Sequence, residues 1–199
     1  MIIDTVLFDL GGVLLRTEHQ APREHLAERL NVRYEDLVSL VFESATARQA
    51  SLGKITTEQH WQAVAARMGR PASEIASLRD EFFGGDVLDL ELLSFIRALR
   101  PSRRTGLISN GWPDLREYVA RNRFDDAFDV LVISAEVGLL KPDPRIYELA
   151  LGQLGTTAAQ AALVDDTRAN VEAATALGMH GILFKESEQV RRDLTGILG

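Results

Sequence analysis

The chain has 199 residues, 46% of them hydrophobic, which suits one domain or one domain with a modest insertion around a real core. Its 22 Lys and Arg stand against 29 Asp and Glu, a formal charge of -7 that repels a phosphodiester backbone and excludes nucleic acid as an expected partner. Cysteine is absent, which excludes disulfides and thiolate metal sites; no run reaches the roughly 18 apolar residues of a membrane span, and Asp4 and Asp9 stand where a signal peptide needs a basic lead, so a soluble cytoplasmic protein is expected.

The first apolar run, "IDTVLFDL" from residue 3, predicts a buried strand that ends on Asp9 and passes directly into Gly11 and Gly12. Residues 16 to about 86 then show helical periods and no convincing strand. Leu37, Leu40, Val41 and Ser44 repeat at i, i+3, i+4 and i+7, as do Trp61, Val64, Ala65 and Met68, and such stripes are packing faces. After the helical pattern "LDLELLSFIRALR" the short runs return: "TGLIS" at 105, "VLVIS" at 130, "AALVDD" at 161 and "HGILF" at 180. Helical patterns lie between them, with Pro113 or Pro144 near a start and Gly155 or Gly178 just past an end. This alternation predicts an α/β fold with an open, mostly parallel sheet, formed by residues 1–15 and 87–199 and interrupted by a helical domain at 16–86. "RPSRR" at 100–104 reads as a short, solvated basic loop.

Ligands of open parallel sheets bind beyond the carboxyl ends of the strands. Those ends carry Asp9, then Ser109 and Asn110, then Lys141 in the loop beyond "VLVIS", then Asp165 and Asp166. Each has a plainer reading alone: Asp9 and Ser109 as turn residues, Lys141 as a solvated side chain before Pro142, Asp166 as a helix N-cap. Together they are harder to dismiss. Three acids beside one lysine repel one another unless a divalent cation sits among them, and oxygen donors without cysteine or a histidine pair suit a hard ion such as Mg²⁺. His25, His60 and His180 are scattered and carry no assignment.

The ordered segments "FDLGGVL", "LISNG", "LLKPDP" and "LVDDTRAN" resemble the four motifs of the haloacid dehalogenase-like hydrolase superfamily, most of whose members are phosphatases. The likeness runs from about residue 2 to residue 184, and the insertion after the first motif resembles the cap of the helical-cap branch. The resemblance implies a Rossmann-like core and a small phosphorylated metabolite as substrate. It makes Asp9 the nucleophile and Lys141 the cation that neutralises nucleophile and phosphate. Ser109, Asn110 and Gly12 fall in the phosphate site, with backbone N–H groups after Gly11 completing the cradle. The metal ligands become Asp9, the Gly11 carbonyl, Asp165 and Asp166, while Asn170 stands where many relatives place another acid. A carboxylate approaching a phosphate dianion to about 4 Å meets roughly 8 kcal/mol of repulsion at an effective dielectric near 20, which explains the need for that positive charge.

One position departs from the phosphatase pattern. The second residue after the nucleophile is usually an aspartate that protonates the leaving group, and here it is Gly11. General acid–base groups contribute about 10² to 10⁴ in rate. Two other readings therefore stand beside a Mg²⁺-dependent phosphatase: a metal-independent 2-haloacid dehalogenase, which lacks that second aspartate, and a catalytically silent binding protein. A sugar phosphate is one candidate substrate. Arg16, Glu18 and His19 in the entry loop "RTEH" either reach the site or solvate a linker, and the oligomeric state is open.

Overall fold

A computed structural model describes residues 2–198. Strand β1 (Thr5–Phe8) leads through β2 (Leu15–Thr17) into α1 (Ala21–Leu30), α2 (Tyr34–Phe42), α3 (Ala45–Ser51), α4 (Thr57–Arg67) and α5 (Ile75–Phe83), and the chain returns through β3 (Asp86–Leu88). There follow α6 (Leu90–Leu99), β4 (Arg104–Ser109), α7 (Leu115–Arg121), β5 (Val130–Ile133), the single turn α8 (Ser134–Val137), α9 (Pro144–Leu154), β6 (Ala161–Asp165), α10 (Arg168–Ala176), β7 (His180–Leu183) and α11 (Ser187–Leu198). No helix among the described residues is long and apolar enough to cross a membrane.

The main sheet has the order β5-β4-β1-β6-β7 and all its pairings are parallel. Its strands are buried on both faces, which explains why they read as unbroken apolar runs. Val6 and Phe8 pack with Leu92, Leu93, Ile96, Val190 and Leu194 on one side, while Leu7 points to Ile146, Tyr147 and Ala150 of α9 on the other. The same alternation sends Leu107 one way and Ile108 the other, as the strand period of two requires. The chain builds outward from β1 to β4 and β5 and then crosses to β6 and β7, so β1 lies at the point where strand order reverses. Asp143 N-caps α9 with Pro144 in its first turn, and Gly155 closes that helix in the left-handed conformation.

The five helices between β2 and β3 enclose an apolar cluster of their own, with Leu26, Leu37, Val41, Trp61, Val64, Ala65, Leu78 and Phe82 buried in it. The stripe on α4 holds as far as Ala65, with Met68 half-buried at the helix end. The other stripe breaks, because α2 ends at Phe42 and Ser44 instead caps α3 by accepting from the Ala47 N–H at 3.2 Å. The segment also contains strand, contrary to the sequence reading. Residues Leu15–Thr17 pair antiparallel with Asp86–Leu88. Three residues are too few to show a period of two, and their partners lie some seventy positions apart, so no local signal marks them. "RPSRR" likewise does more than meet solvent: Arg100 pairs with Asp129 at 2.7 Å, Arg104 with Asp4 at 3.4 Å, and Arg103 donates to Leu198 O at 2.6 Å.

Candidate active site

Because all five strands of the main sheet run the same way, their carboxyl ends deliver side chains to one edge. Asp9 follows β1, Ser109 ends β4 and Asp165 ends β6 beside it. Lys141, only 4% exposed, arrives from the loop between α8 and α9 and places its Nζ 2.9 Å from Asp9 Oδ1 and 2.6 Å from Asp165 Oδ2. That loop is held by Asn110, whose Oδ1 accepts from Lys141 N at 2.8 Å and whose Nδ2 donates to Lys141 O at 3.0 Å. Both ends of the Asn110 amide are thus engaged with the backbone of Lys141. Its place in this geometry is to position the lysine, where the sequence pointed to substrate contact.

Asp165 is fully buried and equally fixed. Its Oδ1 accepts from Thr167 N and from Asn170 Nδ2, both at 2.9 Å, while Oδ2 faces Lys141. Asn170 is itself buried and accepts on its carbonyl from the Tyr147 hydroxyl at 3.1 Å. Asp166 does not cap α10, which starts after Thr167. It lies against Gly12, where a β-carbon would come within 2.0 Å of Asp166 Oδ2, and Gly12 has φ +75°. Absence of a side chain there is a steric requirement. The Gly12 N–H already donates to Leu15 O at 3.0 Å, and those of Val13 and Leu14 donate to Leu10 O, so the expected cradle of N–H groups after Gly11 is committed to the turn itself.

Carboxylate oxygens of Asp9, Asp165 and Asp166 lie within 4.8 Å of one another. Burial pushes the Asp9 carboxyl up to about 6; the Lys141 ammonium works against this, the Asp165 charge adds to it, and the Leu10 N–H at 2.7 Å works against it. Burial and the Asp165 charge also raise Asp166. Three carboxylates against one ammonium leave negative charge in a confined space. Hard oxygen donors that converge without nitrogen or sulfur fit a small divalent cation, and the missing β-carbon of Gly12 is what lets the third carboxylate approach.

Above this floor opens a cavity of about 980 Å³, lined by Gly11, Ser109, Asn110, Tyr118 and Lys141 and, toward the helices between β2 and β3, by Phe42, Arg79, Phe83 and Trp112, which packs against the cluster of those helices. Ser109 is a largely buried residue that borders the cavity, and its hydroxyl makes no hydrogen bond among the described residues. A β-carbon on Gly11 would meet nothing within 4 Å, and its φ is not in the left-handed region. Arg16, Glu18 and His19 do not line the cavity; Arg16 donates to Glu18 at 2.8 Å, Asp89 at 3.0 Å and Val13 O at 2.5 Å. Sequence reasoning missed Asn170 as a partner of Asp165, although its place five residues on, in the first turn of the next helix, was a usable signal. It also missed Trp112, an aromatic residue in an otherwise polar loop.

A family model described as haloacid dehalogenase-like hydrolase matches residues 3–178. Sesquiterpene phosphatase astK of Aspergillus oryzae is 30% identical over 195 residues, covering 97% of this chain and 95% of its own. Bifunctional epoxide hydrolase 2 of Rattus norvegicus is 26% identical over 219 residues, and the match spans 100% of this chain but only 39% of that one. Among solved structures, a family enzyme of Bacteroides thetaiotaomicron in complex with magnesium and inorganic phosphate superposes with a TM-score of 0.75 at 23% identity, covering 92% of this chain and 94% of that one.

Proposed function

The chain belongs to the haloacid dehalogenase-like hydrolase family, and on that premise we propose that it is a magnesium-dependent phosphatase acting on a small phosphate monoester through an aspartyl-phosphate at Asp9. The observation that carries this reading is the ammonium of Lys141 held between Asp9 and Asp165, with a third carboxylate close by. A dehalogenase attacking a haloacid has little use for the Asp165–Asp166 pair. Support also comes from the phosphatase relative that matches nearly the whole chain, and from the magnesium and phosphate in the structural neighbour.

A free Asp9 oxygen attacks phosphorus while the bond to the ester oxygen breaks, and the departing oxygen takes its proton from water, since Gly11 has no acid to give. Water then attacks the phosphorus of the acyl phosphate, releasing inorganic phosphate and restoring the Asp9 carboxylate. Lys141 neutralises charge on both nucleophile and phosphoryl oxygens. The partnerless Ser109 hydroxyl donates to the phosphate. Gly12 gives Asp166 room, and Asn110 keeps Lys141 in place. Asp9, the Gly11 carbonyl, Asp165 and Asp166 would hold Mg²⁺, which supplies further positive charge to the transferring group when bound. The helices between β2 and β3 act as a cap over the site.

Phosphate release from a panel of esters, with Mg²⁺ and with chelator, tests this directly. Wild type should turn over only with metal, and Asp9→Asn should stay folded while losing at least about 10⁴ in kcat, the nucleophile having become an amide. Chelator-resistant fluoride release from fluoroacetate would replace this reading with a dehalogenase. Neither product from any substrate would leave a binding protein.

A further inference from the structure

The cavity bordered by Gly11, Ser109 and Lys141 is at the upper end of the volumes that hold drug-sized ligands, far more than a phosphate group needs. From its lining we infer that the phosphate enters esterified to an apolar alcohol, alkyl or aryl in character, whose organic group packs on Phe42, Phe83 and Trp112. This rests on the phosphatase reading of the same site and narrows it.

The aromatic wall is continuous with the phosphate floor. Trp112 follows Ser109 by three residues, and both line the same cavity. Phe42 lies 6.1 Å from Trp112 with planes 29° apart, and Phe83 stands edge-on to both, 6.2 Å from Phe42 and 6.3 Å from Trp112. Phe42 keeps 46% of its surface exposed and borders the cavity, so an aromatic ring there is open to an apolar ligand. The wall is rigid: His60 backs the Trp112 ring at 4.8 Å, and the imidazole is held by Val41 O at 3.0 Å and the Thr46 hydroxyl at 2.9 Å.

Several polar groups in the lining are already engaged. Asp86 accepts from Arg23 and Thr17, both at 2.7 Å. Asp114 accepts from Arg79 at 2.8 Å and Thr57 at 2.7 Å. Asn110 is engaged with Lys141. Arg48, Asp80, Arg121 and the Tyr118 hydroxyl also border the cavity, the three charged side chains being exposed. A sugar lying against Phe42, Phe83 and Trp112 would surrender its water to rings that offer no conventional hydrogen-bond partner, whereas an apolar group gains by leaving water. The sugar phosphate considered on sequence grounds is therefore the poorer fit.

The test uses alkylphosphonates, whose C–P bond is not hydrolysed, titrated into the Mg²⁺-loaded protein by calorimetry, with the matching phosphate esters assayed in parallel. Affinity should rise on the order of a hundredfold from ethyl- to hexylphosphonate, and 2,3-dihydroxypropylphosphonate should bind no more tightly than propylphosphonate. Phe42→Ala should flatten the chain-length dependence and Phe42→Leu should restore much of it. Affinity independent of chain length, or tighter binding of the dihydroxylated compound, overturns the inference. If the esters are hydrolysed without chain-length dependence, this inference alone fails; if affinity grows with chain length and no ester is hydrolysed, the phosphatase reading alone fails.

Discussion

On the floor of the cavity, Lys141 Nζ lies 2.9 Å from Asp9 and 2.6 Å from Asp165, and every buried carboxylate has a directional partner. On the roof, Phe42, Phe83 and Trp112 meet only as ring faces and edges at 6.1 to 6.3 Å. The two surfaces are held by different physics, and they respond differently to change. Charges in a low dielectric have few acceptable arrangements, and removing one partner strands the other. Ring contacts are non-directional by comparison, so a substitution there alters shape and area without leaving an unpaired group.

Lys141→Ala is the change that should break the floor most severely. It leaves Asp9 and Asp165 buried, close together and without their shared cation, which costs about 3–5 kcal/mol in stability. Denaturant unfolding in chelator measures that loss. Turnover of every ester should fall together, by at least about 10² to 10³, because the lost charge serves the phosphoryl group whatever alcohol is attached. A loss confined to esters of one alcohol class would mean that floor and roof are not separate in function.

The same division explains what could be read from the sequence. Asp9, Ser109, Lys141, Asp165 and Asp166 were legible because parallel strands announce themselves as apolar runs and ligands collect at their carboxyl ends. The role of Asn110 was not, since nothing local shows that its amide would turn to the backbone of Lys141, thirty-one positions away. Phe42 adjoins the stripe of Leu37, Leu40 and Val41 that reads as a packing face, and periodicity does not tell a residue facing a core from one facing a cavity. The pairing of Leu15–Thr17 with Asp86–Leu88 is set by the return of the chain, which no window of ten residues contains. Arg16, Glu18 and His19 stood close to the first motif in sequence but turn to Asp89 and to the linker instead of the cavity.

Gly11 lies where floor meets roof, and its replacement sharpens the comparison. Without an acid at this position the leaving group depends on its own acidity, so wild type should turn over aryl phosphates faster than primary alkyl phosphates. A β-carbon on Gly11 meets nothing within 4 Å and the backbone there is not left-handed, so a side chain can start from this position. Gly11→Asp should then speed alkyl esters by roughly 10 to 10² while changing aryl esters much less, flattening the dependence of rate on leaving-group pKa. Uniform slowing across the series would show that the glycine is there for space.

The smallest effect belongs to the roof. Burial lowers the His60 pKa below its ordinary 6.5, with the Val41 carbonyl acting in the opposite sense, so the folded protein holds the imidazole neutral. Its Nε2 donates to that carbonyl at 3.0 Å and its Nδ1 accepts from the Thr46 hydroxyl at 2.9 Å, so a second ring proton would require that hydroxyl to turn and accept. As pH falls below 6.5 the unfolded chain takes up a proton that the folded chain refuses, and stability declines until the lowered folded value is passed. The slope for one proton is at most about 1.4 kcal/mol per pH unit. Asp9, raised to about 6 by burial, acts with the opposite sign: in chelator the folded protein binds the extra proton, so its contribution strengthens as pH falls from there. The informative quantity is therefore the difference in Tm between wild type and His60→Gln across pH 5 to 7.5, measured with Mg²⁺ present to hold Asp9 ionised. That difference should narrow toward acid, at about 2–4 °C for each kcal/mol in a chain of this length. A constant difference would mean that the imidazole behind Trp112 accepts a proton without cost, and that the roof is less rigid than its ring contacts imply.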